Sequence, residues 1–309
     1  MSRDRCWLLL RLLIEALLLA TILGVVVWWL TSAAFQIRLC HGDGNDQTSM
    51  KRKRALRRLE GYRRQVGTCW TRDAFTQTQV KIDTLVLFAT QKKTSLRGIV
   101  FLCRTTRAAS VRALPYLERG YDVAMYDGRG EGGSDAAPHW QEQALLDEAL
   151  QVFTHMVAKT TSAPGRRIYV AGYCHGCASA TYIARHTNVR DVRLILVGAF
   201  PDVRAAVRQH VSAWLFADWM VPVRLETAAH LRCTRATHID LIHGEHDELM
   251  PVSFTRDILY EAASQCSSAK TRVHIVTERA THNHLPKTSA FARVLDRVLI
   301  LQPNQAPSE

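Results

Sequence analysis

The chain has 309 residues, with 40 lysines and arginines against 28 aspartates and glutamates, and a formal net charge of +12. Hydrophobic residues make up 47% and charged residues 22%, a balance that excludes a disordered or collagen-like chain, while the length allows one large domain or two small ones. More than half of the excess charge lies in one segment, where Lys51, Arg52, Lys53, Arg54, Arg57, Arg58, Arg63 and Arg64 face only Glu60; this is not the basic groove of a nucleic-acid enzyme, and no nucleic-acid partner is expected.

At the N-terminus, Ala16 to Ile37 carry no charge. The apolar run begins at Trp7 and is interrupted by Arg11 and Glu15, which share a helix face four residues apart. At helical rise Trp7 and the pair Trp28–Trp29 are about 32 Å apart, near the ~30 Å hydrocarbon thickness. Aromatics at both ends of an uncharged core predict a transmembrane anchor over residues 1–38. A cleaved signal peptide competes, with Arg3 and Arg5 as its basic start and Ser32-Ala33-Ala34 as its cleavage site. Residues 39–79 are expected as a linker and basic juxtamembrane stalk, whose cations either contribute ~1 kcal/mol each at anionic head groups or form a solvated face. The expected location is the membrane, single-pass. The side stays open: Arg3, Arg5 and Arg11 favour a cytoplasmic N-terminus and the Lys51–Arg64 cluster the opposite.

From Val80 onward strands alternate with helices, predicting an α/β domain over 80–302 and a tail over 303–309. Val80–Phe88 reads as a hairpin or edge strand, Gly98–Cys103 as a buried strand, Ser110–Arg119 as a helix ended by Gly120, and Tyr121–Tyr126 as a strand. Gln141–Lys159 places apolar residues at helical spacing. Strand Arg167–Ala171, helix Cys177–Arg185, strand Val192–Val197 and a mostly helical Asp202–Leu231 follow. Strand His238–Ile242, helix Val252–Ala263, strand Arg272–Val276 and helix Thr288–Leu299 complete the order. Such alternation predicts a mainly parallel, doubly wound sheet covered on both faces, with ligands at the carboxyl ends of its strands.

The eight cysteines do not form a small disulfide scaffold, and most read as buried small hydrophobes. Cys174 differs. Gly172-Tyr173-Cys174-His175-Gly176 follows a strand and opens a helix, in the pattern of a G-x-nucleophile-x-G elbow. The nucleophile of such an elbow sits on a strained turn, so residues two away must lack side chains. Its sulfur then stands at a helix N-terminus, where the dipole favours thiolate. Two other readings use the same residues: Cys174-His175-Gly176-Cys177 as a redox C-x-x-C, and Cys174 as a structural cysteine. After strand His238–Ile242 comes His243-Gly244-Glu245-His246-Asp247, and after the last strand Thr281-His282-Asn283-His284. Nucleophile, acid and histidine thus fall in the elbow's order, each at a strand's carboxyl end.

From about Ile99 to its end the chain resembles the α/β-hydrolase superfamily. Asp127-Gly128-Arg129-Gly130-Glu131-Gly132-Gly133-Ser134 looks like the family's D-x-R-G-x-G-x-S turn, and the elbow, the acid loop and the histidine turn complete the likeness. With its apolar N-terminus the chain is similar to membrane-anchored serine hydrolases of the lysophospholipase and S33-peptidase-like branch, and its cysteine elbow is similar to that of dienelactone hydrolase. The resemblance implies Cys174 as nucleophile, His282 as base and then acid, Asp247 as its orienter, and His284 as the alternative base. It implies acyl transfer on an ester or thioester, with the oxyanion held by the N–H of His175 and one near Thr105. A small or extended acyl substrate and membrane lipid are the expected partners, and neither cofactor nor metal is expected. The sequence departs from the family in its Cys for Ser and in Cys103-Arg104 where a His-Gly pair normally follows the strand. A catalytically silent binding module held at the membrane is therefore the alternative. Arg104 or Arg107 offers a cation for an anionic substrate group or is a solvated loop residue. Trp214, Leu215, Phe216, Trp219, Met220 and Val221 read as a small cap or as a helix packed on the sheet.

Overall fold

The computed structural model describes residues 14–25, 59–90, 98–103, 112–136, 141–160, 166–210, 221, 223–266, 268–279 and 281–300. The chain divides into two compact units, Met1–Thr48 and Ser49–Glu309. In the first, residues 14–25 form a helix whose apolar side chains, Leu17, Leu19 and Leu23 among them, are exposed. Among the described residues no helix is long and apolar enough to cross a membrane. Most of the anchor expected over 1–38, including Trp7, Trp28 and Trp29, lies outside them, as do Lys51 to Arg58.

The second unit is built on an eight-stranded sheet in the order β1-β2-β4-β3-β5-β6-β7-β8. The strands are β1 (Arg63–Arg72), β2 (Gln79–Phe88), β3 (Ile99–Cys103), β4 (Asp122–Tyr126), β5 (Ile168–Tyr173), β6 (Val192–Val197), β7 (His238–Gly244) and β8 (Lys270–Val276). β1 pairs antiparallel with β2 and β2 with β4, while every pairing from β4 through β8 is parallel. The parallel part has the expected architecture.

Alternation along the strands sends side chains into two cores. Ile99, Phe101 and Cys103 join one face, covered by α2 (Glu142–Thr160), α3 (Gly176–His186) and α5 (Thr227–Arg232). Val100 and Leu102 join the other, covered by α1 (Leu114–Leu117) and α7 (Ser289–Ile300). On α2 the residues at helical spacing, Leu145, Ala149, Val152, Phe153, Met156 and Val157, are all buried. Each such side chain contributes roughly 1.5–3 kcal/mol of burial when it is as large as Leu or Phe.

Three expectations are corrected. The sheet begins at Arg63, inside the predicted stalk. β1 is an edge strand with only Cys69 and Thr71 buried, so its start carries Arg63 and Arg64 without penalty and shows no apolar alternation. β2, read as a hairpin or edge strand, does form a hairpin with β1 but is not at the edge, because its other side pairs with β4. The helical stretch predicted from Asp202 to Leu231 is α4 (Val203–Arg208) and α5, with residues 211–220 outside the described set. Between β7 and β8, a π-helical turn at Phe254–Leu259 runs into α6 (Tyr260–Ser264).

Candidate active site

β5 runs straight into the elbow. Gly172 is still paired with Leu196 on β6, Tyr173 with Val197, and α3 begins at Gly176. Cys174 lies between them with φ of +52°, a backbone conformation that costs a non-glycine residue of order 1–3 kcal/mol. The strain is held from both sides: Cys174 N–H donates to Val197 O at 2.9 Å, and Cys174 O accepts from Cys177 N–H at 3.0 Å. The flanking glycines are required by contact. A Cβ on Gly172 would lie 2.6 Å from the Cys177 backbone, and one on Gly176 would lie 2.6 Å from Cys103 O. Packed this tightly between β3 and β5, the turn directs Cys174 to the carboxyl end of the sheet.

The loop after β7 supplies Asp247 and the loop after β8 supplies His282. His282 Nδ1 donates to Asp247 Oδ2 at 2.6 Å, with the carboxylate side chain 1% exposed and the imidazole 9%. Asp247 is fixed by its other oxygen, which accepts from Leu249 N–H at 3.0 Å and Met250 N–H at 2.9 Å. The His282 backbone N–H donates to Glu248 Oε2 at 3.1 Å, joining the two loops. Burial opposes the charge on Asp247, but hydrogen bonds from His243 and His282 outweigh it and hold the carboxyl well below the ordinary carboxylate range. Burial also opposes charge on His282, yet hydrogen bonds to Asp247 and Cys174 raise its imidazole to about 10. Asp247 and His282 are thus joined by a hydrogen bond, and Cys174 is close enough to His282 to help raise its imidazole.

Other expected residues fall differently. His284 Nδ1 bonds to Thr281 Oγ1 at 2.8 Å, on an exposed turn, and does not reach Asp247. His175 caps the start of α3, with its backbone beside the sulfur-bearing residue. Thr105, Arg104, Arg107 and Trp214 through Met220 lie outside the described residues. Cys177 is fully buried, burial pushes its thiol well up, and its Sγ lies 3.7 Å from Val197 O. Both it and Cys174 are free thiols. A redox pair needs two reachable sulfurs of thiolate character, and Cys177 is neither.

Sequence reasoning missed three supports. Gly198 follows β6 at φ +57°, and a Cβ there would lie 2.9 Å from His282 Cε1, so this glycine makes room for the imidazole. Its position at a strand's carboxyl end was the available signal. His243 is wholly buried on β7: its Nε2 donates to Met250 O at 2.9 Å and lies 3.4 Å from Asp247 Oδ2, while Nδ1 accepts from Thr255 Oγ1 at 2.7 Å. An apolar cluster that includes Ala178, Phe200, Val203, Val223, Met250 and Phe254 packs against Cys174. Nothing in local periodicity joins these residues, which come from four separate segments.

The sheet order, the strained elbow and the histidine–carboxylate pair define an α/β-hydrolase fold. Residues 110–280 match the family described as serine aminopeptidase, S33, and the chain belongs to that family. The match spans the elbow and Asp247, with His282 just beyond it. No curated protein matches the chain in sequence. Among solved structures it is similar to an esterase of Pyrococcus furiosus, at 12% identity and a TM-score of 0.57, covering 80% of this chain and 94% of that one. It is also similar to an acylaminoacyl peptidase of Pyrococcus horikoshii, at 12% identity and a TM-score of 0.55, covering 78% of this chain and 41% of that one. The chain thus spans less than half of that peptidase, and likenesses this distant speak for the fold alone.

Proposed function

We propose that the protein is a membrane-anchored acyl hydrolase that cleaves an ester or thioester through Cys174. The observation that carries this reading is the strained Cys174 at the elbow, beside an imidazole that Asp247 holds at 2.6 Å and that Cys174 helps to raise. A strained turn beside a raised histidine serves no packing purpose that a glycine would not serve with less strain.

The steps use only these residues. The reaction begins as His282 takes the thiol proton of Cys174. The sulfur attacks the acyl carbonyl, and its new C–S bond makes a tetrahedral oxyanion. The His175 N–H faces that charge, with a second donor expected from the loop after β3. The oxyanion collapses, the C–O or C–S bond to the leaving group breaks, and His282 gives that group its proton. Water then attacks the acyl-enzyme, with His282 taking the proton and returning it to the sulfur. Asp247 keeps Nδ1 engaged so that Nε2 faces the reaction. The apolar cluster beside Cys174 suits an acyl chain. Anchoring rests on the uncharged run from Ala16 to Ile37 and the exposed apolar helix at 14–25.

The test is thiol chemistry followed by turnover. Cys174 should react with iodoacetamide near neutral pH much faster than the other cysteines, and a panel of short- and long-chain acyl esters and thioesters should be cleaved by wild type but not by Cys174→Ala. Labelling no faster than the buried thiols, with no turnover on the panel, would leave a silent binding module instead.

A further inference from the structure

The edge strand carries a surface that the reaction does not use. Along β1, Cys69 and Thr71 turn inward, whereas Arg64, Val66, Thr68, Trp70 and Arg72 share the opposite face, and all five are exposed. Trp70 is 61% exposed and Val66 59%. They lie four residues apart, about 13 Å along the strand, with Arg64 before them and Arg72 after them.

The charges on this face are not internally balanced. Trp70 stands opposite Lys81, which is paired with Asp83 at 3.7 Å. Arg64 and Arg72 have no carboxylate partner among the described residues, so they set the sign of the face. The sequence just before the strand, Lys51, Arg52, Lys53, Arg54, Arg57 and Arg58, extends the same sign. An edge strand that only has to avoid pairing is blunted by charge and does not display an indole. A tryptophan and an aliphatic residue set between arginines match a bilayer's interfacial zone, where an indole sits at the head-group level and cations meet anionic lipid. A polyanion without apolar groups would satisfy the arginines but leave Val66 without an apolar partner.

We propose that the exposed face of β1 docks on an anionic lipid surface, Val66 and Trp70 entering the interfacial zone and Arg64 and Arg72 meeting the head groups. The proposal rests on the membrane anchoring argued above. Docking gives the hydrolase unit a defined face toward the bilayer.

The full chain, reconstituted in vesicles of phosphatidylcholine alone or mixed with phosphatidylserine, carries a genetically encoded environment-sensitive fluorophore in place of Trp70. Blue-shifted emission, quenched by brominated lipid, is expected only where phosphatidylserine is present. Arg64→Gln/Arg72→Gln should lower the docked-to-undocked ratio about 30-fold, taking the usual contribution of a surface arginine. Its Cys174 labelling rate should equal that of wild type, which separates lost docking from misfolding. Equal emission in both vesicle types, with the chain still floating with them, overturns docking and leaves the anchor standing. Failure to float with either vesicle overturns both. A blue shift produced in detergent by heparin, or by raising protein concentration, assigns the face to a polyanion or a second copy and overturns the lipid reading.

Discussion

Gly176→Ala probes the elbow at its tightest contact. The added Cβ would sit 2.6 Å from Cys103 O, where ordinary contact begins at 3.4 Å, so the two segments must part by roughly 0.8 Å. Neither can do so freely. Cys103 is held in the ladder opposite Gly172 on β5, and Gly176 opens the helix packed beneath. Overpacking of this kind costs ~1–3 kcal/mol in stability. The same displacement separates His175 from the end of β3, and near-ångström misplacement of reacting groups costs ~100-fold in turnover. Urea denaturation followed by circular dichroism reads the first effect, and kcat/KM on an activated acyl ester reads the second. Gly61→Ala is the control, because no atom lies within 4 Å of its added Cβ, and it should stay within about 0.5 kcal/mol of wild type. Gly176→Ala that matches wild type in both measurements would refute the close-approach argument.

The remaining predictions concern the site's charges and one buried network. His282→Ala should abolish acyl turnover while His284→Ala leaves it within a few-fold; the reverse outcome would make His284 the base despite its bond to Thr281. The folded-state pKa of His282 is raised from 6.5 to about 10, so its contribution to stability is complete below pH 6.5, declines above it and is gone past about 10. Asp247 is depressed, so its contribution is present above the ordinary 3.8 and is lost as pH falls below that. The difference in melting temperature between wild type and His282→Gln should therefore be largest between about pH 4 and 6.5 and should close toward pH 10; a difference independent of pH contradicts the pairing. Arg129 donates through Nη1 to Asp73 at 2.5 Å and through Nε to Glu148 at 2.8 Å, with all three side chains nearly buried. Arg129→Leu leaves two buried carboxylates without their cation and should cost ~3–5 kcal/mol in chemical denaturation; a cost below ~1 kcal/mol would mean that water reaches the pair.

Much of the fold was legible because parallel strands buried on both faces leave continuous apolar runs. Ile99–Cys103 and Leu194–Val197 are such runs, and the helices between them show apolar residues at helical spacing. The elbow was legible for a related reason: two glycines around Cys174, after a strand and before a helix, express a local steric requirement. β1 was not legible, because an edge strand with one exposed side needs few apolar residues, and its arginines hid it within the basic segment. The choice of His282 over His284 was equally closed to sequence reasoning. Two histidines two residues apart differ only in which of them the turn at Thr281 directs toward Asp247.

Sequence alone therefore determined the strand–helix order, the doubly wound class, and the places of Cys174, Asp247 and the His282–His284 turn at strand ends. These follow from interactions between residues close in the chain, whose spacing the sequence records directly. Only the tertiary structure decided that Gly198 makes room for the imidazole, that His243 braces the acid, and that residues from four segments build an apolar wall beside Cys174. Those contacts join segments far apart in the chain. They arise when the sheet brings strand ends side by side, and no local pattern encodes the result.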